Sequence, residues 1–151
     1  MQILRSAAED LFGLFFPRLC PGCGQSAPAP RELLCLSCQV KLPQTGFHLE
    51  PDNPFEERFW GRIPLVAGAA LYDFVKGGRT QHLIHQLKYA GNREVGRSVG
   101  RYYGQLLREC PRWQGPQLIL PVPLHPRKRH RRGYNQSALF AAGLAESMQL
   151  P

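Results

Sequence analysis

Four cysteines near the N-terminus constrain this 151-residue chain most strongly, and their spacing is C-x2-C, eleven intervening residues, C-x2-C. They are Cys20, Cys23, Cys35 and Cys38. A gap of two residues lets each pair bind one metal ion from a tight turn, and the intervening segment is long enough to bring the pairs together. Four thiolates in a tetrahedron suit Zn²⁺. We predict a structural zinc ribbon over residues 19–43, with no catalysis at a metal whose four positions are filled by protein.

Other uses of these cysteines fit the sequence less well. A thioredoxin-like redox pair would need a surrounding βαβ pattern, which the stretch CPGCG lacks, and it would leave the second pair unexplained. Two disulfides would suit a secreted protein. However, Glu9 and Asp10 fall where a signal peptide would need its apolar region. The remaining cysteine, Cys110, is predicted to be a buried or unreactive thiol rather than a nucleophile.

The rest of the chain divides into three segments. Residues 1–18 have the periodicity of an amphipathic helix, which would dock on the rest of the protein or, alternatively, contact a membrane surface. Residues 44–64 are predicted to be a linker because Pro and Gly interrupt every periodic pattern there. Residues 65–151 would form the larger domain, in which residues 117–122 are predicted to be a short buried strand and residues 65–74 a buried strand or, alternatively, a helix. No apolar run approaches the roughly 20 residues of a membrane-spanning helix, so we expect a cytoplasmic protein without a membrane span.

Positive charge is concentrated in the C-terminal part of the chain. Residues 1–60 carry five Lys and Arg against seven Asp and Glu, whereas residues 61–151 carry fourteen against four. A cationic surface of this kind attracts phosphate groups. Nucleic acid or a phosphorylated ligand is therefore the expected partner of residues 61–151.

The densest positive charge lies in PVPLHPRKRHRRGYNQ, residues 121–136, between a predicted buried strand and a predicted helix. In an open α/β sheet, ligands bind beyond the carboxyl ends of the strands. The following helix presents free N–H groups at its N-terminus. We therefore predict an anion cradle at this point, and the alternative is a solvated basic loop or a nucleic-acid-binding tail. The predicted cradle consists of Arg129, Arg131 and Arg132 with the amides of residues 133–136.

A second basic surface is predicted on the helix REVGRSVGRYYGQLLRE, residues 93–109. At 100° per residue its apolar and arginine side chains fall on nearly opposite faces, so the arginines are either solvated or in contact with phosphates. The arginines of this possible DNA face are Arg93, Arg97 and Arg101. Three glycines recur at every fourth position, which predicts the close approach of another backbone. They are Gly96, Gly100 and Gly104.

Two stretches carry a resemblance to a known family. PVPLHPRKRHRRGYNQSALFAAGLA, residues 121–145, resembles the signature segment of the ComF/GntX family, and LIHQLKYAGN, residues 83–92, is similar to that family's upstream segment. The four-cysteine ribbon also lies where the family carries one. The resemblance implies an α/β fold, in which a zinc ribbon precedes a type I phosphoribosyltransferase-like domain. It also implies a role in DNA uptake during natural competence, with proteins of the competence machinery as partners.

The resemblance implies a set of ligand-binding residues at the basic segment, where such folds bind pyrophosphate. Carried over by motif, they are Lys88, Tyr89, Arg132, Gly133, Asn135 and Gln136. Members of the family continue to a strand ending in an acidic pair and to a Thr/Gly-rich loop that holds the 5-phosphate of phosphoribosyl pyrophosphate. Neither motif occurs in this chain. The sequence therefore predicts a C-terminally incomplete phosphoribosyltransferase-like domain, which would be a fragment, a truncated product or a half completed by another chain.

Three functions remain open on these observations. As an enzyme, a completed domain would use Mg²⁺ to transfer the ribosyl group of phosphoribosyl pyrophosphate. As a binding module, the cationic surface would hold single-stranded DNA, with aromatic side chains stacking on the bases. The aromatic residues predicted for stacking are Tyr102, Tyr103, Trp113 and Tyr134. As an adaptor, the zinc ribbon would only contact other proteins. The missing phosphate loop favours binding over catalysis by this chain.

Overall fold

Helices dominate the structure, a computed structural model that describes residues 19–25, 27–30 and 32–151. Its α-helices and two 3₁₀ turns are, in chain order, α1 (Leu36–Lys41), the turn Glu56–Phe59, α2 (Arg79–Tyr89), α3 (Arg93–Glu109), the turn Pro111–Trp113, α4 (Pro126–Arg132) and α5 (Gln136–Met148). The amphipathic helix predicted for residues 1–18 lies outside the described residues. No described helix is both long and apolar enough to cross a bilayer.

The predicted α/β fold, with its parallel sheet of the phosphoribosyltransferase type, is wrong. In the described part of the chain there is no strand, and β-pairing is limited to one isolated antiparallel bridge between Gln44 and Tyr72. The helices, above all α3 and α5, supply the packing instead. The four-cysteine cluster predicted for residues 19–43 is present.

The two segments predicted as buried strands form no strand, and their β-pairing among the described residues is limited to the bridge at Tyr72. They are residues 65–74 and 117–122, in which Val66 is 98% exposed and Leu120 is 77% exposed. An apolar run predicts a strand only if another strand supplies its backbone hydrogen bonds, because β-propensity depends on that context. Pro121 also lacks the N–H that a central strand would donate. The sequence pattern carries no information about whether such a partner strand exists.

The close backbone approach predicted from the glycine stripe is confirmed, and it joins α3 to α5. A Cβ atom at Gly100 would overlap the carbonyl oxygen of Phe140, and one at Gly143 would overlap the carbonyl oxygen of Arg97. Only glycine at these positions lets the two helix backbones touch. Side chains from both helices and from the loops then form a core around buried residues, namely Leu71, Tyr103 and Leu107.

A second apolar cluster attaches the cysteine-rich segment to the helices. Its buried residues are Leu42, Leu83 and Val95. Leu33 and Leu34, which precede the second cysteine pair, pack against this cluster. The cysteine-rich segment therefore shares its apolar contacts with α2 and α3 rather than standing apart from them.

Residues 44–64, predicted as a linker, are held to the helical part by buried polar groups. Asn53 is 2% exposed, and its Nδ2 atom donates to three backbone carbonyl oxygens. One of these belongs to Gly68, which lies beyond the segment. A buried amide with all these bonds fixes the local backbone, because leaving its partners unpaired would cost about 1–3 kcal/mol each.

This region is expected to lose stability in acid because of Glu56. Burial alone would raise the pKa of this carboxyl, but the backbone amides of Gly68 and Asp52 and the Arg112 guanidinium outweigh burial and hold the pKa below its usual value of 4.5. A lowered folded-state pKa gives stability that is present above the unfolded-state pKa and is lost as pH falls through the folded value. As the pH is lowered below 4.5, the thermal midpoint should therefore fall, and it should fall less steeply in Glu56→Gln.

The matched control for this acid sensitivity is Glu50→Gln, which neutralises a carboxylate of an exposed residue in the same segment. In thermal unfolding followed by circular dichroism between pH 7 and pH 3, the control should show the same acid dependence as the wild-type protein. An unaltered acid dependence in Glu56→Gln would show that the pKa of Glu56 is not the cause.

Candidate metal centre and nucleic-acid interface

The structure brings the four predicted metal ligands together. Their sulfur atoms all lie within 4.8 Å of one another. The Sγ atoms of Cys23 and Cys35 are 3.8 Å apart, which matches the edge of about 3.8 Å expected for sulfurs placed about 2.3 Å from a tetrahedral zinc. The cysteines are unbridged by disulfides. The predicted four-cysteine site is therefore confirmed as a place that could bind a metal ion, while zinc as its occupant stays a prediction.

Local backbone geometry makes room for the four sulfurs. A Cβ atom at Gly22 would lie 3.0 Å from Cys38 Sγ, so a larger residue would press on that ligand. Gly24 adopts a φ of +68°, which other residues rarely adopt. The backbone N–H of Cys35 donates to Cys20 Sγ over 3.3 Å. Such N–H···S bonds orient the thiolates and spread their charge, as supporting bonds do at metal sites.

A cation lies beside this cluster at the start of α2. Burial raises the pKa of the Cys38 thiol to about 12, and a hydrogen bond from the Arg79 side chain opposes that rise. Four thiolates with one Zn²⁺ carry a formal charge of about −2, which a neighbouring guanidinium partly offsets. Because the ligands must lose their protons, metal binding at this site should weaken as pH falls.

The basic segment forms helix α4 rather than the predicted open loop. Pro126 stands in its first turn, where a missing N–H costs nothing, and His125 Nδ1 accepts from the N–H of Arg127. Gly133 ends the helix with a φ of 75°, and its N–H donates to the Arg129 carbonyl. One amide of the predicted anion cradle is thus already engaged, so any anion would be held here mainly by side chains. The exposed cations are Arg127, Lys128, Arg129 and Arg131.

Two residues carried over from the family motif hold the start of α5 in place. Asn135 Oδ1 accepts from the N–H of Ser137, and Asn135 Nδ2 donates to the Val122 carbonyl. Gln136 is 8% exposed, and its Oε1 accepts from Arg132 Nη1 over 3.0 Å. Asn135 is therefore bonded to the protein through both polar atoms of its side chain, and Gln136 is bonded through its oxygen atom.

Two arginine–tyrosine pairs meet where the ends of α2 to α5 converge. Arg132 Cζ lies 5.6 Å from the ring centre of Tyr89, and Arg93 Cζ lies 4.9 Å from the ring centre of Tyr134. Such cation–π contacts hold a guanidinium flat against a ring. We call these four residues the arginine–tyrosine cluster. Lys88, which is exposed, immediately precedes Tyr89, so the structure gathers most of the predicted ligand residues at one place.

The arginines predicted as a DNA face on α3 have different environments. Arg93 belongs to the arginine–tyrosine cluster. Arg97 and Arg101 instead form ion pairs with Glu146 of α5, and Arg101 also pairs with Glu94. Hydrogen bonding and charge from Arg101 and Arg97 lower the pKa of Glu146. Because their charge is partly neutralised within the protein, these two arginines are weaker candidates for phosphate contact than those of α4.

The predicted stacking residues differ in exposure. Tyr103 and Tyr134 are 5% and 9% exposed, and the indole N–H of Trp113 donates to a backbone carbonyl. Tyr102 is 38% exposed, whereas Tyr89 is 62% exposed. Sequence reasoning included Tyr89 only by resemblance and did not assign it to stacking. Its place at the last turn of a helix, beside a lysine, was the signal that could have singled it out.

Comparison with known proteins finds relatives concerned with DNA. DNA utilization protein YhgH of Salmonella typhimurium (strain LT2) is 32% identical over 130 residues, which are 84% of this chain and 47% of that protein. DNA utilization protein YhgH of Escherichia coli (strain K12) has the same identity and coverage. Competence protein F of Haemophilus influenzae is 31% identical over 72 residues, which are 46% of this chain and 31% of that protein.

These similarities cover most of this chain but only part of its relatives. The chain spans about half the length of the DNA utilization proteins it matches. No family model matches it, and no solved structure does. The chain is therefore similar to the DNA utilization and competence proteins, and this similarity supports its resemblance to the ComF/GntX family.

Proposed function

We propose that this chain binds single-stranded DNA through α4 and the arginine–tyrosine cluster, in the service of DNA utilization or uptake. The observation that carries the proposal is the group of exposed cations on α4 together with the exposed ring of Tyr89. The names of the relatives point in the same direction. Association with proteins of the competence machinery is part of the same proposal and rests on those names alone.

The exposed cations of α4 suit a nucleic-acid backbone. Arginine and lysine side chains contact phosphates without regard to sequence. A helix of seven residues is only about 10 Å long, so its four exposed cations present a dense charge to a few neighbouring phosphates. Among the described residues, no acidic side chain forms an ion pair with Arg127, Arg129 or Arg131. Their charge is therefore available to a ligand.

Tyr89 gives the surface a preference for single strands. Its ring is 62% exposed, and the Arg132 guanidinium lies over it. An exposed ring can stack on a base only where the base is not already stacked within a duplex. Base–aromatic stacking contributes about 1–3 kcal/mol per base. We therefore expect this surface to favour single strands over duplex DNA of the same charge.

Replacing Arg127, Arg129 and Arg131 together by Ala should flatten the salt dependence of DNA binding. Each lost phosphate contact reduces the log–log slope for single strands by about 0.7, so the slope should fall by about two units. Fluorescence anisotropy of a labelled oligonucleotide across salt concentrations measures this. Arg132 is kept because it also contacts Tyr89 and Gln136.

The matched control for the α4 variant removes the same number of charges elsewhere. Its three substitutions, at exposed arginines outside α4 and the cluster, are Arg58→Ala, Arg62→Ala and Arg108→Ala. If binding depended only on net charge, the two triple variants would have equal affinity and equal slope. An α4 variant that binds like the wild-type protein would refute the proposed DNA surface.

A small phosphorylated ligand at the same surface is the competing proposal. If DNA is the ligand, pyrophosphate added to the DNA complex should displace the strand no more than sodium chloride of equal ionic strength does. Displacement by pyrophosphate at a much lower ionic strength than sodium chloride requires would instead favour pyrophosphate or phosphoribosyl pyrophosphate as the ligand. Phosphoribosyl transfer by the whole protein rests only on the family resemblance, and no contact in the described residues supports it.

A further inference from the structure

An apolar cavity of about 360 Å³ lies between α2, α3 and α5. Its walls include Leu83 and Ile84 of α2, Val95 and Val99 of α3, and the Phe140 ring of α5. None of its lining residues is acidic or basic. The volume is at the lower end of those found for small-ligand sites. Whatever part of a ligand enters it must therefore be small, uncharged and mostly apolar at its surface.

Two buried polar side chains line this cavity without satisfying their hydrogen-bonding groups. Thr80 is 6% exposed and Gln136 is 8% exposed. Within the described part of the chain, Thr80 Oγ1 and Gln136 Nε2 have no hydrogen-bond partner. Leaving such a group unpaired costs about 1–3 kcal/mol. Both atoms belong to residues that line one apolar cavity, so a ligand there would complete their hydrogen bonds once the two side chains turn toward it.

The cavity adjoins the proposed DNA surface through two of its lining residues. Gln136 Oε1 accepts from Arg132, which holds the amide while its Nε2 stays unpaired. The carbonyl of Leu87 accepts from the Tyr134 hydroxyl. Arg132 and Tyr134 both belong to the arginine–tyrosine cluster. A ligand that enters the cavity can therefore extend directly onto cationic side chains.

We propose that the cavity takes one nucleobase from the bound single strand, an inference that rests on the proposed DNA binding. A base is neutral, has two apolar faces and carries its polar atoms on one edge. Apolar and aromatic walls with a few hydrogen-bonding groups are how proteins hold unstacked bases. Gln136 Nε2 donates to a ring carbonyl of the base, and Thr80 Oγ1 donates to or accepts from the same edge. The neighbouring phosphates then lie on α4 and the cluster.

Thr80→Val tests this proposal because stability and binding are expected to change in opposite directions. Removing an unpaired buried hydroxyl at nearly constant shape should leave the thermal midpoint unchanged or raise it. The same change removes one hydrogen bond to the base, so affinity for an oligothymidylate of about 12 nucleotides should fall about fivefold. Affinity for a strand of equal length and charge with abasic sites should not change.

Two further variants separate the cavity from general stability. Tyr103→Phe also removes an unpaired buried hydroxyl, but Tyr103 does not line the cavity, so binding of both strands should stay at the wild-type level. Gln136→Glu keeps the oxygen that accepts from Arg132 and replaces the Nε2 donor. This substitution should weaken binding of the oligothymidylate more than binding of the abasic strand.

The possible results separate the cavity proposal from the DNA proposal. Equal wild-type affinity for the oligothymidylate and the abasic strand would refute base binding while leaving phosphate binding intact. An equal loss on both strands in Thr80→Val would assign Thr80 a purely structural role and overturn the proposal. Thymidine 5′-monophosphate that binds as tightly as the strand would make a free nucleotide the ligand instead. If neither strand binds the wild-type protein, both proposals fail.

Discussion

Protein stripped of metal is expected to unfold over residues 19–43 while α3 and α5 remain paired. Three of the four predicted metal ligands in this segment are buried, and the fourth and Leu34 pack against them. Without a metal, the apolar packing of the described part of this segment is reduced to the contacts of Leu33, Leu34 and Leu42 with the neighbouring cluster. Structural zinc sites supply about 10–16 kcal/mol of apparent binding energy at neutral pH. We therefore expect this to be the largest change in stability that any single treatment of the protein produces.

Elemental analysis and limited proteolysis measure the effect of metal loss. Protein purified without chelator should contain about one zinc per chain, and chelation should open residues 19–43 to protease. Cys35→Ser should reproduce both effects in the absence of chelator. The matched control is Cys110→Ala, which removes a buried thiol that donates to a backbone carbonyl and is not part of the cluster. A metal-free wild-type protein, or a Cys35→Ser variant with full zinc content, would contradict the zinc site.

Metal loss should also weaken the packing beside the segment. Leu33 and Leu34 pack against the cluster that contains Leu83 of α2, and the Arg79 side chain at the start of the same helix lies beside Cys38. The far end of α2 carries Tyr89, which contacts Arg132. We propose that this helix lets the four-cysteine segment position the proposed DNA surface, since a metal bound by four cysteines would have no open coordination position for chemistry.

The metal site could be predicted because its determinants are local. Two C-x2-C pairs specify the ligand atoms, and Gly22 and Gly24 specify the turn that lets them converge. The contact between α3 and α5 was also predictable in part. The glycine stripe indicated that a backbone would approach α3, but nothing in the sequence identified α5 as the partner. Local sequence determines ligand spacing and turn geometry, whereas it does not determine which distant helix packs against α3.

The predicted sheet failed for the same reason. The segments 65–74 and 117–122 have the composition of buried strands, but composition cannot supply the neighbouring strand that would complete their hydrogen bonds. The prediction of a loop over the basic segment was wrong, although the signals for a helix were present in the sequence. Pro126 in the first turn and Gly133 just beyond the last are a common pair of helix boundaries, and they specified α4. The unpaired atoms of Thr80 and Gln136 depend on three-dimensional packing, so no sequence pattern indicated them.

Gly100→Ala is expected to cost about 3 kcal/mol of unfolding free energy or more, although alanine favours helices. In an unhindered helix, replacing glycine by alanine would stabilise the fold by about 1 kcal/mol. At this position the new Cβ would overlap the Phe140 carbonyl oxygen and lie 3.1 Å from Gly143 Cα. Backbone atoms cannot turn aside as a flexible side chain can, so α3 and α5 must separate. Separation opens the core around Tyr103 and Leu107, and overpacked cores lose about 1–3 kcal/mol or more.

A graded series of glycine variants tests whether backbone contact is the cause. Gly115→Ala should be neutral or slightly stabilising, because a Cβ there meets no atom within 4 Å and its φ is not positive. Gly96→Ala should lie between the extremes, since its Cβ would be 3.0 Å from Leu87 Cδ1, which can shift, and 3.0 Å from Leu139 Cβ, which moves only with its backbone. Urea unfolding followed by circular dichroism gives the three free energies. If Gly100→Ala is as stable as Gly115→Ala, the two helices do not pack backbone to backbone, and the arrangement of α3 and α5 that positions Arg93 and Gln136 must be revised.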